Sequence, residues 1–159
     1  MLTPEEHIDS LIRHINLVRD NCTVLGKKLI KQGRVEFGRL LIARGFAHDN
    51  SKFFGVEWNF LHLGKGIAKT KVELAARHHA ETNSHHPEYH GGFDNMPDLD
   101  ISELACDWAA RAMEFGTDLR EWINTEGMKR YNFTDKDENY KLLMKYVELL
   151  LEDSFVRSE

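Results

Sequence analysis

Cysteine is nearly absent from this chain of 159 residues: Cys22 and Cys106 are the whole complement. Two thiols so far apart make neither a disulfide framework nor a cysteine zinc cluster, and they point to a reducing cytosol. No stretch approaches the ~18 consecutive apolar residues that a membrane span needs. The opening MLTPEEHIDSLIRH is acidic and amphipathic, unlike a secretory signal, so a soluble, cytoplasmic protein is expected. Basic residues are not in excess either. With 21 Lys and Arg against 26 Asp and Glu the formal net charge is −5, which argues against an extended nucleic-acid surface while leaving room for a local basic pocket. No run alternates well enough to be a strand, and there is neither an internal repeat nor a low-complexity segment.

What is present is apolar content, 42%, at helical spacing, ample for one core in one domain over residues 1–159. Thr3, Pro4 and Glu6 read as a helix start with a capping box. Ile8, Leu11, Ile15 and Val18 follow, and the pattern continues through Leu25 and Leu29 to a break at Gly33. A second helix is predicted from Val35 to Ala47, delivering His48-Asp49 at its end. Phe53 to His62 reads as helical, Gly64 and Gly66 punctuate, and a further helix spans Thr70 to Thr82. Asn83 to Pro97, with Pro87, Gly91 and Gly92, reads as a loop and an active-site lid. Asp100 and Glu103 look like a capped start for a helix buried through Ile101, Leu104, Ala105, Trp108, Ala112 and Phe115. A short helix at Leu119 to Asn124 and a last one from Thr134, facing inward through Leu142, Leu143, Tyr146, Leu149 and Leu150, complete an all-α bundle of five to seven helices.

Seven of the nine histidines fall between His48 and His90. Imidazoles and carboxylates are ligands that divalent transition metals take readily, so the stretch reads as a metal site. His48-Asp49 offers two ligands from one short segment. His14 lies 34 residues earlier, and antiparallel packing about Gly33 would bring it level with His48. Taken alone, His14 also fits an ordinary core-edge histidine, and His7 is an alternative on nearly the same face. Asp107 stands among small and apolar neighbours and needs a partner: a metal, or Arg111 four residues on. Adjacent helical residues point ~100° apart, so His78 and His79 are not both expected to face the site. His62, His78 and His90 fit surface histidines. Glu81 and Glu88 are candidates for a proton carrier, and equally for solvated carboxylates.

His14, His48-Asp49 and Asp107 together resemble the ligand set of the HD superfamily, all-α metal-dependent phosphohydrolases. His48-Asp49-Asn50-Ser51-Lys52 is similar to the HD-x-x-K form of many members, whose lysine lies near the substrate phosphate. His85-His86-Pro87-Glu88 with Gly91-Gly92 is similar to a segment of the cyclic-dinucleotide phosphodiesterase branch, but the terminal Gly-Tyr-Pro of that branch is missing and its substrate does not carry over. A closer resemblance, from His14 to Trp108, is to uncharacterised phage and bacterial proteins marked by HD-x-SK-F (His48 to Phe53), N-x-HHPEY (Asn83 to Tyr89) and a helix bearing D-W (Asp107-Trp108).

The resemblance implies an HD-like fold and one or two divalent ions (Fe, Mn, Zn, Co or Ni). His14, His48, Asp49 and Asp107 would hold the first; His79 and at least one of His85 and His86 would hold a second, with Asp49 bridging. It implies a hydrolase acting on a nucleotide or another small phosphorylated molecule, with Lys52 neutralising phosphate charge. A two-iron oxygenase on the same scaffold and a non-enzymatic, metal-stabilised binding protein directed at a host or phage partner are the other readings. The oligomeric state is open.

Overall fold

The structure, a computed structural model, describes residues 2–61 and 66–152. His62 and Gly64 lie outside the described residues. Among the described residues seven helices carry the chain and no strand occurs. α1 (Pro4–Lys31) begins on the expected capping box: the Thr3 hydroxyl accepts from the Glu6 amide and the Glu6 carboxylate accepts from the Thr3 amide. It ends where Gly33 takes a positive φ of 90° and the chain reverses into α2 (Val35–Ala47).

The two helices lie antiparallel and very close, because glycines remove the side chains that would hold them apart. A Cβ on Gly38 would stand 2.4 Å from the Gly26 carbonyl oxygen, and one on Gly45 would stand 2.5 Å from the Cys22 Cβ. This close seam places His14 level with His48, their ring centroids 5.7 Å apart.

After a 3-10 turn (Asn50–Phe53), α3 (Gly55–Leu61) pairs with α4 (Lys69–Thr82). The central element is α5 (Asp98–Phe115), buried without interruption from Asp100 to Ala110 and packed against α1, α2 and the last helix, α7 (Glu138–Leu151). A helix buried all round sits in the middle of a fold. Val18, Leu25, Leu29, Leu41, Ile101, Leu104, Leu143 and Tyr146 form the core around it. Between α5 and α7, α6 (residues 119–131) is continuous but contains one wide π turn, Ile123–Gly127.

Several sequence expectations need correction. Asp100 and Glu103 do not cap α5, which starts at Asp98 after Pro97; both are buried side chains held by Arg44. Phe115 is 73% exposed instead of buried, and Ala112 is half-buried. The short helix near Leu119 runs on to residue 131. The last helix starts at Glu138, four residues late, because Asp137 takes the Thr134 amide into a local turn.

The segment from Asn83 to Pro97 is not an open lid. Phe93 and Met96 are buried in the core, and the Asn139 amide donates to both of their carbonyls. His90 is half-buried instead of lying on the surface, donating through Nε2 to the Ser84 carbonyl, with Asp100 3.0 Å away.

The glycine seam predicts its own sensitivity. Gly45→Ala is expected to lower stability by about 1–3 kcal/mol through overpacking against Cys22, read as a lower urea midpoint at unchanged slope. An unaltered midpoint would show that the helices can part without cost.

Candidate metal centre

Asp49 is the centre of the site, and the backbone aims it there. At the end of α2 it adopts φ 55° and ψ 21°, the left-handed conformation that Asp tolerates better than most residues. The turn reverses the chain and buries the carboxylate, 2% exposed, among imidazoles from four elements. Around Oδ1 stand the Nε2 atoms of His79 (3.2 Å), His85 (3.3 Å) and His48 (3.4 Å). Oδ2 faces Lys52 Nζ at 2.8 Å and His14 Nε2 at 3.8 Å. Asp107, from α5, completes the cluster with Oδ1 3.1 Å from His14 Nε2.

Four of the five inward histidines have a carboxylate behind them, and His86 does not. Nδ1 of His14 lies 3.1 Å from Glu114, Nδ1 of His48 2.9 Å from Glu103, and Nδ1 of His79 2.8 Å from Glu57. His85 Nδ1 also approaches Glu103, at 3.3 Å. A carboxylate behind Nδ1 holds the proton on that nitrogen and turns the lone pair of Nε2 inward, the arrangement found behind metal-bound histidines. In a neutral ring that lone pair then meets the oxygens of Asp49, which is repulsive until a cation stands between them. The buried Nε2 atoms of His48, His85 and His86 and the Oδ1 of Asp49 accordingly have no aligned hydrogen-bond partner.

Two overlapping sets, His14–His48–Asp49 and Asp49–His79–His85–His86, each bring their ligand atoms within 4.8 Å of one another. The centre can hold a metal ion.

The charge state agrees. Burial alone would raise the Asp49 carboxyl, but electrostatic attraction to His48 and Lys52 and the contacts of His79 and His85 hold it well below the carboxylate range. Asp107 is likewise held low despite burial, by His14 first and then His48. Glu103 is brought down to about 2 by His48 and His85, again against burial. Burial opposes a charge on His85, yet Asp49 and Glu103 push it up to about 10. Burial and the neighbouring His85 charge force His86 down to about 3. A proton on His85 thus supplies part of the positive charge that the carboxylates require.

All seven ligand candidates of the sequence, His14, His48, Asp49, His79, His85, His86 and Asp107, meet here. His7 is half-buried and joins none of these contacts. His79 faces inward as expected, whereas His78 sits outside it against the other Glu57 oxygen, at 2.7 Å. Arg111 pairs with Glu114 instead of Asp107. Lys52 is buried against Asp49, not a free flexible cation.

Glu81 and Glu88 are exposed, and neither lines the cavity over the centre, so the structure gives no support to either as a proton carrier. The sequence reading missed Glu57, Glu103 and Glu114. A signal existed for two of them, since Asp100, Glu103, Asp107 and Glu114 make one carboxylate stripe at spacings of three, four and seven residues along a helix rich in apolar residues. Glu57 has no comparable pattern. The Ser51 and Asn83 of the two sequence motifs meet beside it: Asn83 donates to the Ser51 hydroxyl, which donates to Glu57.

A cavity of about 530 Å³ opens over the centre. Its floor is His14, Asp49, Lys52, His79, His86 and Asp107; its wall includes Trp108, Trp122 and Tyr131, with Arg111 and Arg130 among them.

The shifts determine a pH profile for the metal-free protein. The depressed carboxylates stabilise the fold above their ordinary range, and that contribution is lost as pH falls, for Glu103 through about 2. Neutral His86 destabilises below its ordinary 6.5, where the unfolded chain binds a proton that the folded one refuses until about 3. His85 works in the other direction, its contribution complete below 6.5 and lost as pH rises through about 10. Tm with a chelator present is therefore expected to peak near pH 6.5 and decline toward 10, and a divalent ion should shrink the alkaline decline by replacing the His85 proton. A metal-free Tm that stays level between those values contradicts the charge assignment. Separately, Glu103→Gln is expected to weaken metal affinity by about 10- to 100-fold in a folded protein. Unchanged affinity by calorimetric titration would deny Glu103 its orienting role.

No curated protein and no solved structure matches the chain. A family model does, over residues 3–153. The chain belongs to that family, DUF5662, a family of unknown function.

Proposed function

We propose that this protein is a divalent-metal-dependent phosphohydrolase of the HD type, acting on a nucleotide or another small phosphorylated molecule. The observation that carries the reading is the company the metal centre keeps: one cavity joins it to three cationic side chains, Lys52, Arg111 and Arg130. Concentrated positive charge beside a metal-competent floor suits a phosphoryl group and its developing negative charge.

The bound ion would polarise a phosphoryl oxygen and acidify water. The chain's own groups do the rest. Asp49 lies in both ligand sets, which supports two ions sharing its carboxylate, His14, His48 and Asp107 on one side and His79, His85 and His86 on the other. Lys52, now paired with Asp49, would be the residue to neutralise a phosphoryl oxygen were a dication to take over the charge of that carboxylate. Arg111 contributes a second cation from the wall, steadied by Glu114, the carboxylate that orients His14. Glu57, Glu103 and Glu114 keep the rings turned inward while water enters.

The histidine-rich donor set also fits two-iron oxygen chemistry, and oxygen uptake by the iron-loaded protein separates the two. The cationic wall favours phosphate. A non-enzymatic binding role would retain metal and hydrolyse nothing.

Protein loaded in turn with Mn, Fe, Co, Ni or Zn and screened against a library of phosphate esters is expected to release phosphate with at least one ion. No release from any ester, with oxygen consumed by the iron form, would replace the reading by its rival. Lys52→Ala is expected to cost at least about tenfold in kcat/KM, the scale of one charge-assisted contact, with metal content nearly intact. A variant that hydrolyses substrate as wild type does would remove Lys52 from phosphate binding.

A further inference from the structure

The far wall of the cavity is aromatic, and α6 is distorted in the one place that makes it so. Trp122 and Tyr131 are nine residues apart; in a regular helix at ~100° per residue they would lie about half a turn out of phase, on opposite faces. The π turn Ile123–Gly127 falls between them. Its wider loops advance each residue by less than the ordinary angle, which narrows the offset to about a quarter turn and lets both rings reach the cavity. There they meet Trp108 of α5, whose ring centroid is 4.9 Å from that of Trp122 in an edge-on contact and 5.4 Å from that of Tyr131 in a stacked one. Gly127, inside the π turn, lets the Trp122 ring lie against the backbone: a Cβ at that position would be 3.2 Å from it.

Trp108 belongs to the core, and Trp122 and Tyr131 pack against it without being covered by it. Trp122 and Tyr131 are half-buried, Phe115 beside them is 73% exposed, and all line the cavity. The Arg130 guanidinium lies 5.3 Å from the centre of the Tyr131 ring. Asn124, Thr125 and Glu126, on the outer side of the π turn, are exposed and take no part in the core. The irregular turn is therefore used on its inner side, where the aromatic surface faces the empty volume above the metal-competent floor.

We propose that Trp108, Trp122, Tyr131 and Arg130 form a subsite for a flat aromatic ring attached to the phosphoryl group, so that the ligand is an aromatic or nucleobase-bearing phosphate monoester, ring on the wall and phosphate on the floor. Flat rings stack on indole and phenol faces whatever their hydrogen-bonding edges, and a guanidinium adds cation–π attraction. This rests on the phosphate-binding reading of the floor, but the ring subsite is separately measurable.

The test is equilibrium binding to the metal-loaded protein, followed by tryptophan fluorescence and calorimetry, with inorganic phosphate, glycerol 3-phosphate, phenyl phosphate, adenosine 5′-monophosphate and adenosine as probes. Ring-bearing phosphates are expected to bind about tenfold or more tighter than glycerol 3-phosphate. Trp122→Ala should erase that margin, Trp122→Phe should restore most of it, and the affinity for inorganic phosphate should not move in either. Trp122→Phe, which keeps a ring at that position, also guards against a loss that reflects only misfolding. A margin shared by phenyl phosphate identifies the ring alone as the determinant; a margin confined to adenosine 5′-monophosphate identifies a nucleobase.

Equal affinity for ring-bearing and ring-free phosphates overturns the subsite while leaving the phosphate reading intact. Adenosine binding that depends on Trp122, with no binding of inorganic phosphate, overturns the phosphate reading and leaves the subsite. No binding of any probe overturns both.

Discussion

A buried carboxylate facing inward-turned imidazoles is untenable without a positive charge among them. Asp49 sits in that position, 2% exposed, with three Nε2 atoms within 3.4 Å of one oxygen. Removing a carboxylate from water costs several kcal/mol unless it is compensated. The metal-free chain answers with Lys52 and a proton on His85. A divalent ion answers better, since it turns each repulsive lone pair into a ligand and lets His85 release its proton.

The rest of the fold follows from holding that arrangement. The glycine seam between α1 and α2 sets His14 level with His48, and the left-handed turn after α2 points Asp49 between them. α5 delivers Asp107 to the centre, and from the same stripe Glu103 and Glu114 to the backs of the rings. Arg44 holds Glu103 and Asp100 from the other side and gives them a counter-charge within the fold. The segment after α4 is pinned by Phe93, Met96 and Asn139, which holds His85 and His86 in place and is why glycines there do not make it a lid.

Much of this was legible in the residue order. Thr3, Glu6 and Gly33 mark the bounds of the first helix through local chemistry that tertiary packing does not override. The pairing of His14 with His48 follows from two helices of equal rise meeting at one turn, and the preference for His79 over His78 from its place four residues before Asn83 in the motif. The orienting carboxylates were harder. Asp100 and Glu103 match a capping box as well as a buried stripe, and only Pro97, which moves the helix start to Asp98, decides between them. Glu57 has no periodic context at all. The phase shift in α6 comes from one wide turn with no glycine or proline at its start to announce it, so the approach of Trp122 and Tyr131 to the cavity is visible only in three dimensions.

The most direct test of the metal centre is an anomalous-scattering map of crystals grown with a divalent transition metal, with metal content measured on the same preparation. The account predicts strong density between the Asp49 carboxylate and the Nε2 atoms of His48, His79 and His85, with each Nδ1 still on its glutamate. A metal-soaked crystal with no density there, and with Lys52 still paired to Asp49, would contradict it.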